Sequence, residues 1–181
     1  MGSGLKLESR PWPHLRLEGI LTADELERLA QWPTDGWQWL RHSDIVRPDG
    51  TSLRKWQMLD GRFPDIARRL ESLEPTLREM LGVDAGRLYP HSILVEDLPG
   101  YRIRTHTDCD DKVITCQIYL AEDELHEQQG AVLKGNGVDV QMPYLMNHGY
   151  AFKVGKNTWH RVNRSEAGRR SIQVLFYSRP R

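Results

Sequence analysis

The chain is poor in cysteine, in long apolar runs and in net charge. Cys109 and Cys116 are its two cysteines, and they form no CxxC pair. That excludes a cysteine-built zinc site and predicts a reduced, cytoplasmic protein. No apolar run approaches the roughly 18 residues that a membrane helix needs, and no signal peptide opens the chain. Lys and Arg together number 25, as do Asp and Glu, so the formal net charge is zero. Such a balance argues against nucleic acid or an anionic membrane as the main partner. Neither an internal repeat nor a low-complexity linker is found.

What is present fits one folded unit. A length of 181 residues is one domain's worth and can bury a core. Of the six tryptophans, Trp12, Trp32, Trp37 and Trp39 lie in the first forty positions, which predicts a packed N-terminal layer. Thr22 followed by Glu25 is a capping box, and Leu21, Leu26, Leu29 and Ala30 then form a helical apolar stripe. "RPDGT" at 47–51 signals a turn, so 37–46 and 52–59 are expected to pair as a hairpin. In "FPDIARRLESLEPTLREMLG", Pro64 suits a first helical position, Pro75 forces a break or restart, and Gly82 suits a C-cap.

After residue 86 the texture changes to short β-type runs separated by Gly, Pro, Asn and Asp. Seven or eight strands in roughly 90 residues read as a sandwich or barrel. The expected fold is therefore α+β, a jelly roll with helices covering one sheet. Residues 1–181 are expected to form a single domain, with 1–85 as a helical and hairpin support region and 86–178 as the β core.

Within that core the chemistry-bearing residues fall by strand parity. His106 and Asp108 in "THTD" share a face, with Thr107 on the other. Alone, a His-x-Asp is more readily a solvated strand end. His160 in "NTWHRV" lies 52 residues beyond Asp108, far enough for the chain to cross a barrel and return. Two imidazoles and one carboxylate on one face make a facial triad for Fe(II), and zinc would accept the same ligands.

A second pattern follows. In "GRRSIQVLFYS", Arg169, Ser171, Gln173, Leu175 and Tyr177 share one face, while Ile172, Val174 and Phe176 share the apolar other. A planar guanidinium beside a hydroxyl suits a bound carboxylate. In "KVITCQIYL", Tyr119 shares a polar face with Thr115 and Gln117 and would supply a phenol to the same carboxylate. Arg104 is in phase with His106 and could reach an acidic substrate group, or form a salt bridge at the sheet rim. Trp159 could wall the site or merely pack. Cys109 reads as a loop residue and not a ligand, His126 and His148 as solvated, and His91 as a core histidine.

"HTD" at 106–108, "WHRV" at 159–162 and "GRRSIQVLFY" at 168–177 resemble the Fe(II)/2-oxoglutarate-dependent oxygenase superfamily, in its prolyl-hydroxylase-like branch. The resemblance covers about residues 86 to 178. It implies a double-stranded β-helix (jelly roll, cupin-like) with N-terminal helices packed on its major sheet. It further implies Fe(II) on His106, Asp108 and His160, with the cosubstrate 2-oxoglutarate on Arg169, Ser171 and Tyr119. Gln117, Arg104 and Trp159 are then the expected pocket residues.

By the same resemblance, O2 is consumed, ascorbate is an expected stimulant, and succinate and CO2 leave. An unactivated C–H of a small-molecule, amino-acid or peptidyl substrate is then hydroxylated. Halogenating relatives lose the carboxylate, and Asp108 is present. The chain departs from the branch in two places. Glu96 stands where oxygen-sensing prolyl hydroxylases have a tyrosine, and Gln129 replaces the first glycine of a Gly-Gly pair. Both put a prolyl substrate in doubt. The rival readings are a non-catalytic jelly-roll binding module and a cupin-type dioxygenase without 2-oxoglutarate. The sequence does not fix the oligomeric state.

Overall fold

The computed structural model describes residues 4–32, 35–40, 46, 52–122 and 127–181. Alternating sequence builds two antiparallel sheets. The larger takes β1 (Gly4–Glu8), β2 (His14–Glu18), β3 (Gln38–Trp39), β4 (Arg54–Met58), β5 (Tyr89–Asp97), β7 (Lys112–Tyr119), β10 (His148–Lys153) and β12 (Arg169–Tyr177). Its strand order is β1-β2-β10-β7-β12-β5-β4-β3. The smaller comprises β6 (Ile103–His106), β8 (Ala131–Gly135), β9 (Val138–Gln141) and β11 (Trp159–Val162), in the order β6-β11-β8-β9. Neither sheet closes on itself. The strands from β5 onward coincide with the β-type runs read from the sequence, and the architecture is the expected α+β double-stranded β-helix.

The helices also follow their sequence signals. Helix α1 (Ala23–Ala30) begins at Thr22, whose hydroxyl accepts from the Glu25 N–H at 3.2 Å while its own N–H donates to the Glu25 carboxylate at 2.8 Å. Helix α2 (Pro64–Glu71) starts on Pro64. Helix α3 (Glu74–Leu81) carries Pro75 in its first turn and ends at Gly82 with φ 61°. Together they cover one face of the larger sheet. Leu29, Ile66, Leu70 and Leu77 pack with Leu15, Leu17, Leu94, Ile118, Ile172 and Val174 in one apolar core. Strand alternation then turns the polar residues of the same strands to the opposite face.

That opposite face meets the smaller sheet. Tyr119, Tyr150 and Phe152 from the larger sheet pack with Ala131 and Leu133 from the smaller, and with Trp12. Two elements differ from the sequence reading. Strands β1 and β2 extend the larger sheet, whereas the region before residue 85 was expected to hold only helices and a hairpin. The hairpin itself is β3 with β4, Gln38 opposite Trp56. Its turn at 47–51 lies outside the described residues. The tryptophans divide: Trp32 stacks on Trp37 at 5.4 Å, while Trp39 is exposed.

Candidate metal centre and carboxylate anchor

The metal triad is assembled where the two sheets meet. His106 ends β6 and pairs across the ladder with His160 on β11. Asp108 follows His106 in the loop to β7. One ligand atom from each of His106, Asp108 and His160 lies within 4.8 Å of the others. Each imidazole is oriented by its own backbone. His106 Nδ1 is 2.9 Å from the Arg104 carbonyl, and His160 Nδ1 is 3.0 Å from the Thr158 carbonyl. A carbonyl only accepts, so both Nδ1 atoms carry the proton and both Nε2 atoms offer a lone pair. This is the second-sphere arrangement of a metal-binding histidine.

Asp108 is held at both oxygens. Lys112 Nζ donates to Oδ1 at 2.7 Å and Thr115 Oγ1 to Oδ2 at 2.6 Å. Burial alone would push the carboxyl up, but Lys112, His160 and these hydrogen bonds pull it below its usual range. Burial lowers the pKa of His160, against the opposing pull of Asp108, which favours the neutral ligand form. Phe152 meets the His160 ring edge-on at 5.3 Å and closes one side. The donor set, its tautomers and its charge fit a divalent metal such as Fe(II).

The residues expected to anchor a carboxylate lie on the larger sheet, on strands β7 and β12. Arg169 opens β12 and is 3 % exposed. Its Nη2 donates to Asp97 Oδ2 and its Nη1 to the Gln129 carbonyl, both at 2.5 Å. Its Nε is buried with no partner. Ser171 sits opposite Tyr119 across the ladder, and Gln117 opposite Gln173. Gln117 Nε2 donates to Ser171 Oγ at 3.1 Å, and Tyr150 OH donates to Gln117 Oε1 at 2.8 Å. Burial pushes the Tyr119 phenol up to about 12, so it stays protonated, and it accepts the Ala131 N–H at 2.8 Å. A Cβ on Gly130 would fall 1.9 Å from the Met142 carbonyl oxygen, so the chain beside Tyr119 needs glycine there.

Tyr150 links the two sites. Burial chiefly raises its pKa, with Asp108 raising it further and Arg169 and Arg54 lowering it. Its phenol donates to Gln117, and its ring stacks on Phe152 at 6.1 Å, which in turn meets His160.

The structure thus brings together His106, Asp108 and His160 at one end, and Arg169, Ser171, Tyr119 and Gln117 at the other. Arg170 turns away and pairs with Glu122 at 3.0 Å. Trp159 alternates with His160 and is 44 % exposed on the outer face of β11, so it does not join the triad. Arg104 is exposed. The hollow beside Arg169, about 260 Å³, is lined by Glu96, Glu122, Tyr144 and Arg170 and by none of the triad residues. The candidate ligand atoms converge elsewhere, on His106, Asp108 and His160. His91 is half-buried between Trp56 and Tyr177, and His126 lies outside the described residues.

Four residues of this region are given no role by the sequence reading: Thr115, Lys112, Arg54 and Asp97. Thr115 was legible in principle, being in phase with Tyr119 on the strand after the triad. The contact between Arg54 and Asp97 spans 43 positions, and no local signal announces it.

The fold is the double-stranded β-helix of 2-oxoglutarate- and Fe(II)-dependent oxygenases. A Pseudomonas putida prolyl-4-hydroxylase superposes with a TM-score of 0.70 over 92% of this chain and 93% of that one, at 17% identity. A Trichoplax adhaerens prolyl hydroxylase, solved with a hypoxia-inducible-factor degradation-domain peptide, gives 0.73 over 91% and 83%, at 13% identity. The α-ketoglutarate-dependent epimerase SnoN of nogalamycin biosynthesis gives 0.61 over 90% and 76%, at 12% identity. At these identities the likeness is one of fold. No protein-family profile and no curated protein sequence matches the chain. No helix among the described residues is long and apolar enough to cross a membrane.

Proposed function

We propose that the protein is a non-haem Fe(II)- and 2-oxoglutarate-dependent oxygenase that hydroxylates an unactivated C–H bond of a small-molecule, amino-acid or peptidyl substrate. The observation that carries this reading is the triad, with both Nδ1 protons committed to backbone carbonyls and both Nε2 atoms free to bind. His106, Asp108 and His160 hold the metal on one face. Arg169, Ser171 and Tyr119 hold the distal carboxylate of 2-oxoglutarate, with Gln117 fixing the serine hydroxyl. When bound, iron and 2-oxoglutarate together supply the O2-dependent oxidation, releasing succinate and CO2.

The chain's own part is orientation and exclusion of water. Lys112 and Thr115 keep Asp108 ionised and aimed, and Phe152 shields His160. The unpartnered Arg169 Nε and Tyr101 hydroxyl are buried donors that a bound carboxylate would satisfy. An exposed Cys109 and an unpaired Cys116 accord with the cytoplasm.

The test is succinate formation from 2-oxoglutarate with added Fe(II), O2 and ascorbate, before any prime substrate is known. Wild-type protein is expected to give slow uncoupled turnover and Asp108→Ala none. Undiminished succinate from that variant would overturn the assignment.

A further inference from the structure

Arg169 does not stand alone at the anchor. Asp97 Oδ2 accepts from Arg169 Nη2 at 2.5 Å and from Arg54 Nη2 at 3.0 Å, and Asp97 Oδ1 accepts from Arg54 Nε at 2.6 Å. Both guanidinia lie over the Tyr101 ring, Arg54 at 4.4 Å and Arg169 at 5.3 Å. Asp97, Arg169 and Tyr101 are 2 %, 3 % and 0 % exposed. Among the described residues, Asp97 is the only carboxylate paired with either arginine. Among the described residues two guanidinium charges therefore share one carboxylate, which leaves one positive charge in excess in this cluster. Two buried donors beside it, Arg169 Nε and the Tyr101 hydroxyl, have no partner.

This constellation poses an electrostatic problem for an arginine meant to bind an anion. Asp97 alone would neutralise Arg169 and repel an incoming carboxylate at close range. Arg54, from a strand on the other side of β5, reverses that balance. We infer that Arg54 is a positioning residue that sets the charge of the anchor: it takes up Asp97 so that Arg169 keeps the net attraction needed for a second carboxylate. The inference rests on the proposed 2-oxoglutarate site and adds to it a specificity rule. The site distinguishes a dicarboxylate from a 2-oxo acid lacking the distal carboxylate, and Arg54 is required for that distinction although its hydrogen bonds go to Asp97. An unpaired buried charge is costly, which makes the pocket selective for anions.

The experiment is calorimetric binding to the intact protein with Mn(II) present and O2 excluded. Its two probes are 2-oxoglutarate and 2-oxopentanoate, which has the same carbon chain without the distal carboxylate. Wild type should prefer 2-oxoglutarate. Arg54→Met should weaken 2-oxoglutarate by roughly 10- to 100-fold and leave 2-oxopentanoate nearly unchanged, whereas Arg54→Lys should keep most of the preference. Adding Asp97→Asn to Arg54→Met should restore 2-oxoglutarate binding, since Arg169 then has no competing carboxylate.

Equal weakening of both ligands in Arg54→Met would mean a merely structural role and overturn the inference. So would an unchanged preference in that variant, or a folded double variant that fails to recover. If Arg54→Met alone does not fold, the double variant, which buries two charged groups fewer than wild type and no carboxylate, decides by the same criterion. Failure of wild type to bind either ligand would instead overturn the proposed function.

Discussion

Thr115→Val tests the metal site without touching a ligand. The Thr115 hydroxyl donates to Asp108 Oδ2 at 2.6 Å, and the residue is 7 % exposed. Valine keeps the branched shape and approximate volume, so no cavity opens, and only the hydrogen bond is lost. Lys112 still holds Oδ1 at 2.7 Å, so the carboxylate stays ionised and the effect is one of aim. Removing such an outer-sphere partner typically costs 10- to 100-fold in metal affinity, which corresponds to about 1.4–2.7 kcal/mol. The independent figure for a hydrogen bond to a charged group, about 1.5–3 kcal/mol, agrees. Mn(II) binding, followed by electron paramagnetic resonance of the free ion, reads the affinity directly. Thr115→Ser should retain wild-type binding because it keeps the hydroxyl. Wild-type Mn(II) affinity in a folded Thr115→Val protein would refute the reasoning and show that Lys112 alone suffices to orient Asp108.

Three further outcomes follow from the geometry. Gly149→Ala should destabilise severely, because the new Cβ would lie 2.0 Å from the Gln117 carbonyl oxygen in the neighbouring central strand. About 3 kcal/mol of overpacking, or a melting temperature lower by roughly 6–12 °C, is expected in a thermal scan. Thr22→Ala removes the α1 cap and should cost about 1 kcal/mol, lowering the melting temperature by about 2–4 °C, with 2-oxoglutarate binding unchanged. Mn(II) affinity should hold through neutrality and fall below the ordinary histidine value of about 6.5, because burial keeps His160 neutral to lower pH than an exposed imidazole. An affinity already declining between pH 8 and 7 would assign control to another group.

The β core was legible because its strands alternate cleanly and its turns carry Gly, Pro, Asn and Asp. Parity puts Trp159 opposite His160, and so outside the pocket, whereas Asp108 lies past the end of β6 and joins His106 and His160 from the loop and not by strand alternation. Strands β1 and β2 carry their own alternation, Leu5 and Leu7 and then Leu15 and Leu17, beside a tryptophan- and proline-rich turn that drew the reading toward a packed layer. What no local pattern could give is strand order. β2 is hydrogen-bonded to the central strands only through β10, and β4 only through β5. The partners of Asp97 are set by that order. An aspartate ending a strand before Leu-Pro-Gly reads as a solvated turn residue until β4 and β12 are known to flank it.

That flanking bears on why the cluster is there at all. A buried Arg–Asp–Arg arrangement is poor value as a source of stability. Stripping water from three charges costs several kcal/mol each, and well-packed apolar replacements of similar volume are often neutral or stabilising by about 1–4 kcal/mol. The larger sheet has no need of it, since Leu94, Ile172, Val174 and Ile118 already bind its outer face to the helices. A charge imbalance inside the protein, with Arg169 Nε and the Tyr101 hydroxyl left unpaired, is the reverse of what packing alone would select. The deficit makes physical sense if an anion completes it. Tyr150 joins that end of the interior to the triad, since its phenol donates to Gln117 Oε1 and its ring stacks on Phe152, which meets His160 edge-on.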